Sequence, residues 1–537
     1  MTSRLRSLCA LLLATLGACR APAQTPTAPA GTAQRPTLVV FIAVDQLGSD
    51  YLARYGRDLP GGLGRLTSEG AYWARGVHDH AITETAPGHA AMLSGRFPVH
   101  TGIASNAQGV NTADAPLLGS DEIGASPFRF RGTTLFDWMK AADPATRVLS
   151  VSRKDRGAIL TIGRSKADIY WYVSNGTFTT STYYRAALPP WVERFNARRG
   201  AQALAGHIWT PFLAADRYAE PDSVPFESGG IGTAFPHPLP TDPAEAASVL
   251  RDQPWMDSLT LAFALEGLRA MELGASARRT DLLAISLSAT DAIGHRYGPD
   301  SKEIHDQILR LDHFLGAFLD SLFRLRDARR VVIALTADHG MSPLPEMRST
   351  YYANHSAQRV DQRLAMRAAK ELMVADGLDS SAVEFDDGFR VTKPEVFTRA
   401  GTDPDRYARS WVAELRRTNG VLRADLVSEL AQADTVTDMF ARRWLHMFTL
   451  GDPVRAVVTL TPFSYQTGII YATHGSPHEH DARVPVLFWG AGIRAGAREG
   501  EARVVDMAPT LAAWLGVRPL EPLDGRVLPL APQGEQE

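Results

Sequence analysis

Cysteine is almost absent from this chain: of 537 residues only Cys9 and Cys19 are cysteines, and both lie in the N-terminal leader. The remainder can hold no disulfide, and thiol or redox chemistry is excluded from it. Charge of one sign is missing too. The 56 Lys and Arg against 59 Asp and Glu leave a formal net charge of -3, so nothing draws the whole molecule toward a nucleic-acid polymer or an anionic membrane. A partner has to be recognised locally. No internal repeat is visible, and the apolar run at the N-terminus, Leu8 to Leu16, is too short to span a bilayer. What is abundant is apolar residue, 45% against 21% charged, enough for a large core in one big domain with insertions.

The leader MTSRLRSLCALLLATLGACRAPAQ has Arg4 and Arg6 ahead of that apolar run, and small residues after it, the layout of a secretory signal. Leu16-Gly17-Ala18-Cys19 resembles a bacterial lipobox, with Cys19 as the candidate lipidated residue and membrane attachment; cleavage after Ala21-Pro22-Ala23, giving a soluble form, is the alternative. A signal is expected over 1–19, a flexible Ala/Pro/Thr-rich tether over 20–36, a catalytic domain over 37–517 and a C-terminal tail over 518–537.

TLVVFIAVDQ is a continuous apolar run closing on Asp45. Such runs suit strands buried on both faces of a parallel sheet. Similar runs recur at 147–152, 281–288, 330–340 and 484–492, separated by helical stretches such as the one placing Ile304, Ile308, Leu311 and Leu315 on one face. The alternation predicts an α/β sandwich with a central, mostly parallel sheet flanked by helices. Two insertions interrupt it. One spans about 160–275, near the site, with a hairpin turning at Asn175-Gly176; the other, about 345–455, carries amphipathic helices and is placed away from the site.

Ligands in such sheets sit beyond the carboxyl ends of the strands, which directs the search to Asp45, Asp291 and Asp338-His339. Each aspartate alone reads as an ordinary cap or turn former; their coincidence is what points to a site. Asp291 and His295 are one helical turn apart, and His474 stands in THGSPHEHD. Three carboxylates and three imidazoles suit zinc or a similar borderline ion, in number enough for two. In ETAPGHAAMLSG, Pro87-Gly88 opens a helix and places Thr85 at or just before its N-terminus, where a hydroxyl can serve as N-cap or, as an alkoxide, as a metal ligand.

The ordered set Asp45, Thr85, Asp291-x3-His295, Asp338-His339 and His474 resembles the two-metal site of the alkaline phosphatase superfamily, in the branch shared with nucleotide pyrophosphatase/phosphodiesterases. SRKDRGAIL, TxPGHA, FTTSTYY, DxxGHxxGPxS and VDMAPTLAAWLGV are similar to segments of the phosphate-irrepressible bacterial alkaline phosphatases, and the likeness runs from Thr37 to Val517. It implies an alkaline-phosphatase-like fold and an exported, monomeric hydrolase of small phosphate monoesters, periplasmic or anchored at the outer membrane. Two Zn2+ would be bound, one by Asp291, His295 and His474, the other by Asp45, Asp338, His339 and the Thr85 oxygen. Thr85 becomes the nucleophile of a phosphothreonine intermediate, and Asn106 donates to a phosphoryl oxygen.

Lys154 and Arg156 sit two apart past a strand end, which in extended geometry puts them on one side, opposite Arg153 and Asp155. Two zinc ions carry four positive charges, which three aspartates and the Thr85 alkoxide cancel. Two further cations suit a monoester dianion better than a diester, so a phosphomonoesterase is expected, with a nucleotide pyrophosphatase/phosphodiesterase as the alternative. Where relatives often carry a basic residue this chain has Gly48, and the continuation after GAIL also departs from the more usual one. His478 and His480 are read as spectators, and His78 and His80 as surface or supporting residues.

Overall fold

The computed structural model describes residues 35–347, 357–386 and 388–531. The leader, with Cys19 and nearly all of the tether, lies outside the described residues. Nine strands run in order across the main sheet: Gly496–Ala497, Ala71–Val77, Arg483–Gly490, Val331–Thr336, Leu38–Val44, Asp281–Leu287, Val148–Ser152, Asp168–Tyr172 and Phe178–Thr179; Ala502–Arg503 also pairs with Ala71–Val77. The five from Val331–Thr336 to Asp168–Tyr172 are mutually parallel. Every residue of Leu38–Val44 and Asp281–Leu287 is buried, as continuous apolar runs with helices over both faces require. The Lys302–Leu325 helix turns Ile304, Ile308, Leu311 and Leu315 into the core, and Asp168–Tyr172 folds back on Phe178–Thr179 around Asn175-Gly176. The mostly parallel sandwich is therefore the fold observed, with two exceptions in direction. The short Phe178–Thr179 strand runs antiparallel to Asp168–Tyr172. Arg483–Gly490 runs antiparallel to both of its neighbours.

The second insertion forms a lobe of its own: a four-stranded antiparallel sheet of Val383–Glu384, Phe389–Val391, Val454–Leu460 and Val421–Leu426, with the helices Arg363–Ala375 and Asp405–Leu415 packed around Phe389, Tyr407 and Trp411. Its last strand continues past the expected boundary at 455. The placement away from the site is corrected. Asp386, Gly388, Val458 and Leu460 of this lobe line a cavity of about 310 Å³ together with Glu84 and His474. The expected C-terminal tail is also corrected for 518–531: Leu528 and Leu530 join the main core, Asp524 accepts from the Phe97 amide at 2.8 Å, and Glu521 from the Thr133 amide at 2.6 Å. Among the described residues no helix is long and apolar enough to cross a membrane.

Candidate active site

The donors gather where the parallel strands end. Asp45 directly follows the Leu38–Val44 strand, and its amide donates to Leu287 O of the neighbouring strand at 2.8 Å. Gln46 then adopts φ 68°, a conformation uncommon for a residue with a Cβ. Its amide donates to Asp338 Oδ1 at 3.0 Å, and its side chain donates to Tyr51 Oη at 2.9 Å, tying two site aspartates through one turn. Asp291 and His295 lie on the Ala289–Tyr297 helix with Oδ1 and Nε2 3.3 Å apart, and the same Oδ1 is 3.6 Å from His474 Nε2.

Each candidate imidazole is oriented by a backbone carbonyl. His295 Nδ1 donates to Ala472 O at 2.7 Å, His339 Nδ1 to Gly340 O at 2.8 Å, and His474 Nδ1 to Thr83 O at 2.9 Å. That leaves Nε2 of each as the free electron pair facing the carboxylates, the arrangement by which outer partners set a metal-binding tautomer. The His339 and His474 rings stack with centroids 3.5 Å apart. Two donor groups result, Asp291/His295/His474 and Asp45/Asp291/His339, each with ligand atoms within 4.8 Å of one another. In this grouping Asp291 joins Asp45 and His339, whereas Asp338 Oδ2 lies 3.7 Å from His339 Nε2 and 3.1 Å from His89 Nδ1.

Electrostatics favour cations at both places. Asp45 Oδ1, Asp291 Oδ1 and Asp338 Oδ2 are buried and find no hydrogen-bond donor in good geometry, a costly arrangement unless a cation meets them. Burial and the Asp291 charge oppose ionisation of Asp45, but Lys154 and His339 outweigh them and hold its carboxyl well below the usual range. Burial, and then His339 and His295, push the His474 imidazole well down, so it is neutral and able to ligate. Burial opposes protonation of His339, yet Asp338, Asp45 and Asp291 raise it to about 9. The field that holds a proton there would also hold a metal. Imidazole nitrogens with carboxylates form a donor set suited to zinc-like ions, so these residues fit the metals the sequence implies.

Thr85 is the first residue of the Thr85–Ser94 helix and is buried. Its Oγ lies 3.2 Å from Lys154 Nζ and 3.5 Å from His339 Nε2. The motif around it has a local logic. A Cβ on Gly88 would meet Asp338 O at 2.4 Å, so only glycine lets the helix approach that strand end. His89, one turn after Thr85, donates to Thr85 O at 2.9 Å and bonds Ser286 Oγ at 2.9 Å. Asn106 accepts from the Ala86 amide at 2.9 Å, and its own amide donates to Glu84 Oε2 at 2.6 Å. With Oδ1 so engaged, Nδ2 is the donating end.

The extended geometry expected for Lys154 and Arg156 holds for Lys154, at the N-cap position with φ -94° and ψ 136°, and is corrected for Arg156, which lies in the first turn of the Asp155–Leu160 helix. Lys154 is buried with Nζ 2.5 Å from Asp45 Oδ2 and 2.6 Å from Asp291 Oδ2. Arg156 is half-buried, 3.8 Å from Asp155 Oδ1, and Arg153 pairs with Asp252. Both Lys154 and Arg156 nevertheless line one cavity of about 330 Å³, with Arg153 and Arg251 on its wall.

Residues 39–418 match the family described as Type I phosphodiesterase / nucleotide pyrophosphatase. The chain belongs to this family. Alkaline phosphatase PhoK of Sphingomonas sp is 34% identical to this chain over 525 residues, 92% of this chain and 91% of PhoK. Alkaline phosphatase PhoV of Synechococcus elongatus is 30% identical, with 93% of each chain covered. The crystal structure of alkaline phosphatase PafA superposes with a TM-score of 0.83 at 25% identity, over 93% of this chain and 99% of PafA.

Sequence reading missed several supporting residues. Glu84, which holds Asn106, and His89, which holds the first turn of the Thr85 helix, stand inside the quoted motif; the Thr85–His89 spacing of four was the available signal. His78 is buried and donates to Ala337 O at 2.8 Å, behind Asp338; His80 is buried beside it. His478 Nε2 donates to Leu460 O at 2.8 Å, and His480 stacks on Phe463.

Proposed function

We propose that this chain is an exported, metal-dependent alkaline phosphatase that hydrolyses small phosphate monoesters through a phosphothreonine at Thr85. The observation that carries the reading is the buried Lys154 ammonium, 3.2 Å from Thr85 Oγ and beside two candidate ligand carboxylates. A cation fixed next to the attacking oxygen, with Arg156 on the same cavity wall, matches the second negative charge of a monoester dianion, which a diester lacks. The full-length relatives named alkaline phosphatases support it.

Asp291, His295 and His474 would hold one ion and Asp45, Asp338, His339 and Thr85 Oγ the other, two Zn2+ in all. When bound, such a pair supplies Lewis-acid neutralisation of the attacking and leaving oxygens. The chain's own residues do the rest. The amides at the start of the Thr85–Ser94 helix and Lys154 favour the deprotonated Thr85 oxygen. That oxygen attacks phosphorus in line, the ester alcohol leaves, and water later cleaves the phosphothreonine to release inorganic phosphate. Asn106 Nδ2 and the Arg156 guanidinium bind non-bridging oxygens as charge shifts onto them. Export by the leader, lipidation at Cys19 and a monomeric catalytic domain that runs from 37 through the packed segment to 531 complete the proposal.

The family description also covers phosphodiesterases, so the test compares both ester classes. Zinc-loaded protein should hydrolyse p-nitrophenyl phosphate with a far higher kcat/KM than bis-p-nitrophenyl phosphate. Preference for the diester would refute the substrate assignment.

A further inference from the structure

Each donor group takes one imidazole from a separate loop, His339 just beyond Val331–Thr336 and His474 far along the chain. One residue that touches neither imidazole joins them. Asp481 is 1% exposed. Its Oδ1 accepts from Ser342 Oγ at 2.9 Å, on the His339 loop. Its Oδ2 accepts from the amide and hydroxyl of Ser476 at 3.0 and 2.5 Å, on the His474 loop. Its carbonyl accepts from the Gly340 amide at 2.6 Å, and the Gly340 carbonyl in turn accepts from His339 Nδ1. The approach is so close that a Cβ on Gly340 would meet His480 O at 2.2 Å.

Apart from this carboxylate the loops share an isolated β-bridge, Ser342 with Thr473, and the Tyr465 hydroxyl, which donates to Ser342 O at 2.5 Å and accepts from the Thr473 amide at 3.1 Å. A side chain accepting from both loops fixes their separation, and with it the offset of the stacked His339 and His474 rings. In-line displacement between paired ions depends on a spacing of roughly 3.5–4 Å.

We propose that Asp481 is a positioning residue that sets the distance between the two metal-holding groups. The inference rests on the two-metal reading above. Asp481→Asn turns an amide nitrogen toward the Ser476 or Ser342 donors and severs one loop; Ser342→Ala cuts only the link to the His339 loop and is the milder change. Each protein would be loaded with Mn2+, dialysed and analysed for bound metal, and its paramagnetic resonance spectrum read for coupling between the ions. The wild type should retain two coupled ions. In Asp481→Asn the weaker ion should bind about 10- to 100-fold less tightly, the coupled signal should shrink, and kcat should fall with KM little changed. Ser342→Ala should shift the same readouts in the same direction by less.

Variants that retain two ions with wild-type affinity and coupling would overturn the role of Asp481 alone, whatever their melting temperatures. Should Asp481→Asn not fold, Ser342→Ala decides by the same criteria. A wild type that binds fewer than two ions would refute the two-metal reading and this inference with it.

Discussion

Replacing Lys154 by methionine removes one charge while keeping most of the apolar stem. Nζ lies 3.2 Å from Thr85 Oγ; a phosphorus in attack position about 3.3 Å from Oγ brings its oxygens within reach of Nζ. A unit charge 4 Å from the ammonium interacts with it by about 4 kcal/mol at an effective dielectric near 20. A monoester dianion carries one charge more than a diester. Allowing up to half of that field to be absorbed by Asp45 and Asp291, the monoester should lose about 2–4 kcal/mol more than the diester, roughly a 30- to 1000-fold fall in the ratio of their kcat/KM values. The assay is steady-state hydrolysis of p-nitrophenyl phosphate and bis-p-nitrophenyl phosphate by wild type and variant. Metal content should be measured on both, because the change leaves two buried carboxylates without their cation. Equal losses on the two substrates at equal metal content would refute the charge argument.

Other perturbations separate the remaining roles. Chelation should abolish hydrolysis and added Zn2+ restore it; Asp45→Asn should weaken that restoration, read as activity against free metal. Asn106→Asp keeps the acceptor for the Ala86 amide but replaces the donor by a negative charge, so the fold should persist while kcat falls by about 100- to 1000-fold, the scale of a lost oxyanion donor. Glu227 is 1% exposed, and burial, with Glu303 and Asp222 nearby, raises its carboxyl from 4.5 to about 9. Between those values the native state keeps a proton that the unfolded chain has released, so stability falls as pH rises, by about 1.4 kcal/mol per unit at most. Melting temperatures should decline across that window, and Glu227→Gln should flatten the decline.

The strands and their terminal aspartates were readable because a strand buried on both faces needs an unbroken apolar run, and Asp45 and Asp338 stand where such runs stop. The Asp291–His295 pair was readable from helical spacing. The direction of Arg483–Gly490 was not, since an apolar run has the same composition in either sense. Arg156 was placed in extended geometry because the helix that starts at Asp155 is only six residues long and its apolar part, Ala158 to Leu160, resembles a strand end. The approach of the second lobe to His474, the packing of Leu528 and Leu530, and the Asp481 bridge between Ser342 and Ser476 arise from tertiary contacts that leave no periodic trace.

The most direct test of the account is to quench zinc-loaded enzyme with acid during turnover of a phosphate monoester and map phosphorylation by peptide mass spectrometry. A phosphoryl group on the peptide containing Thr85, lost in Thr85→Ala together with turnover, is the predicted result. Undiminished turnover in Thr85→Ala, or phosphorylation at another residue, would contradict it.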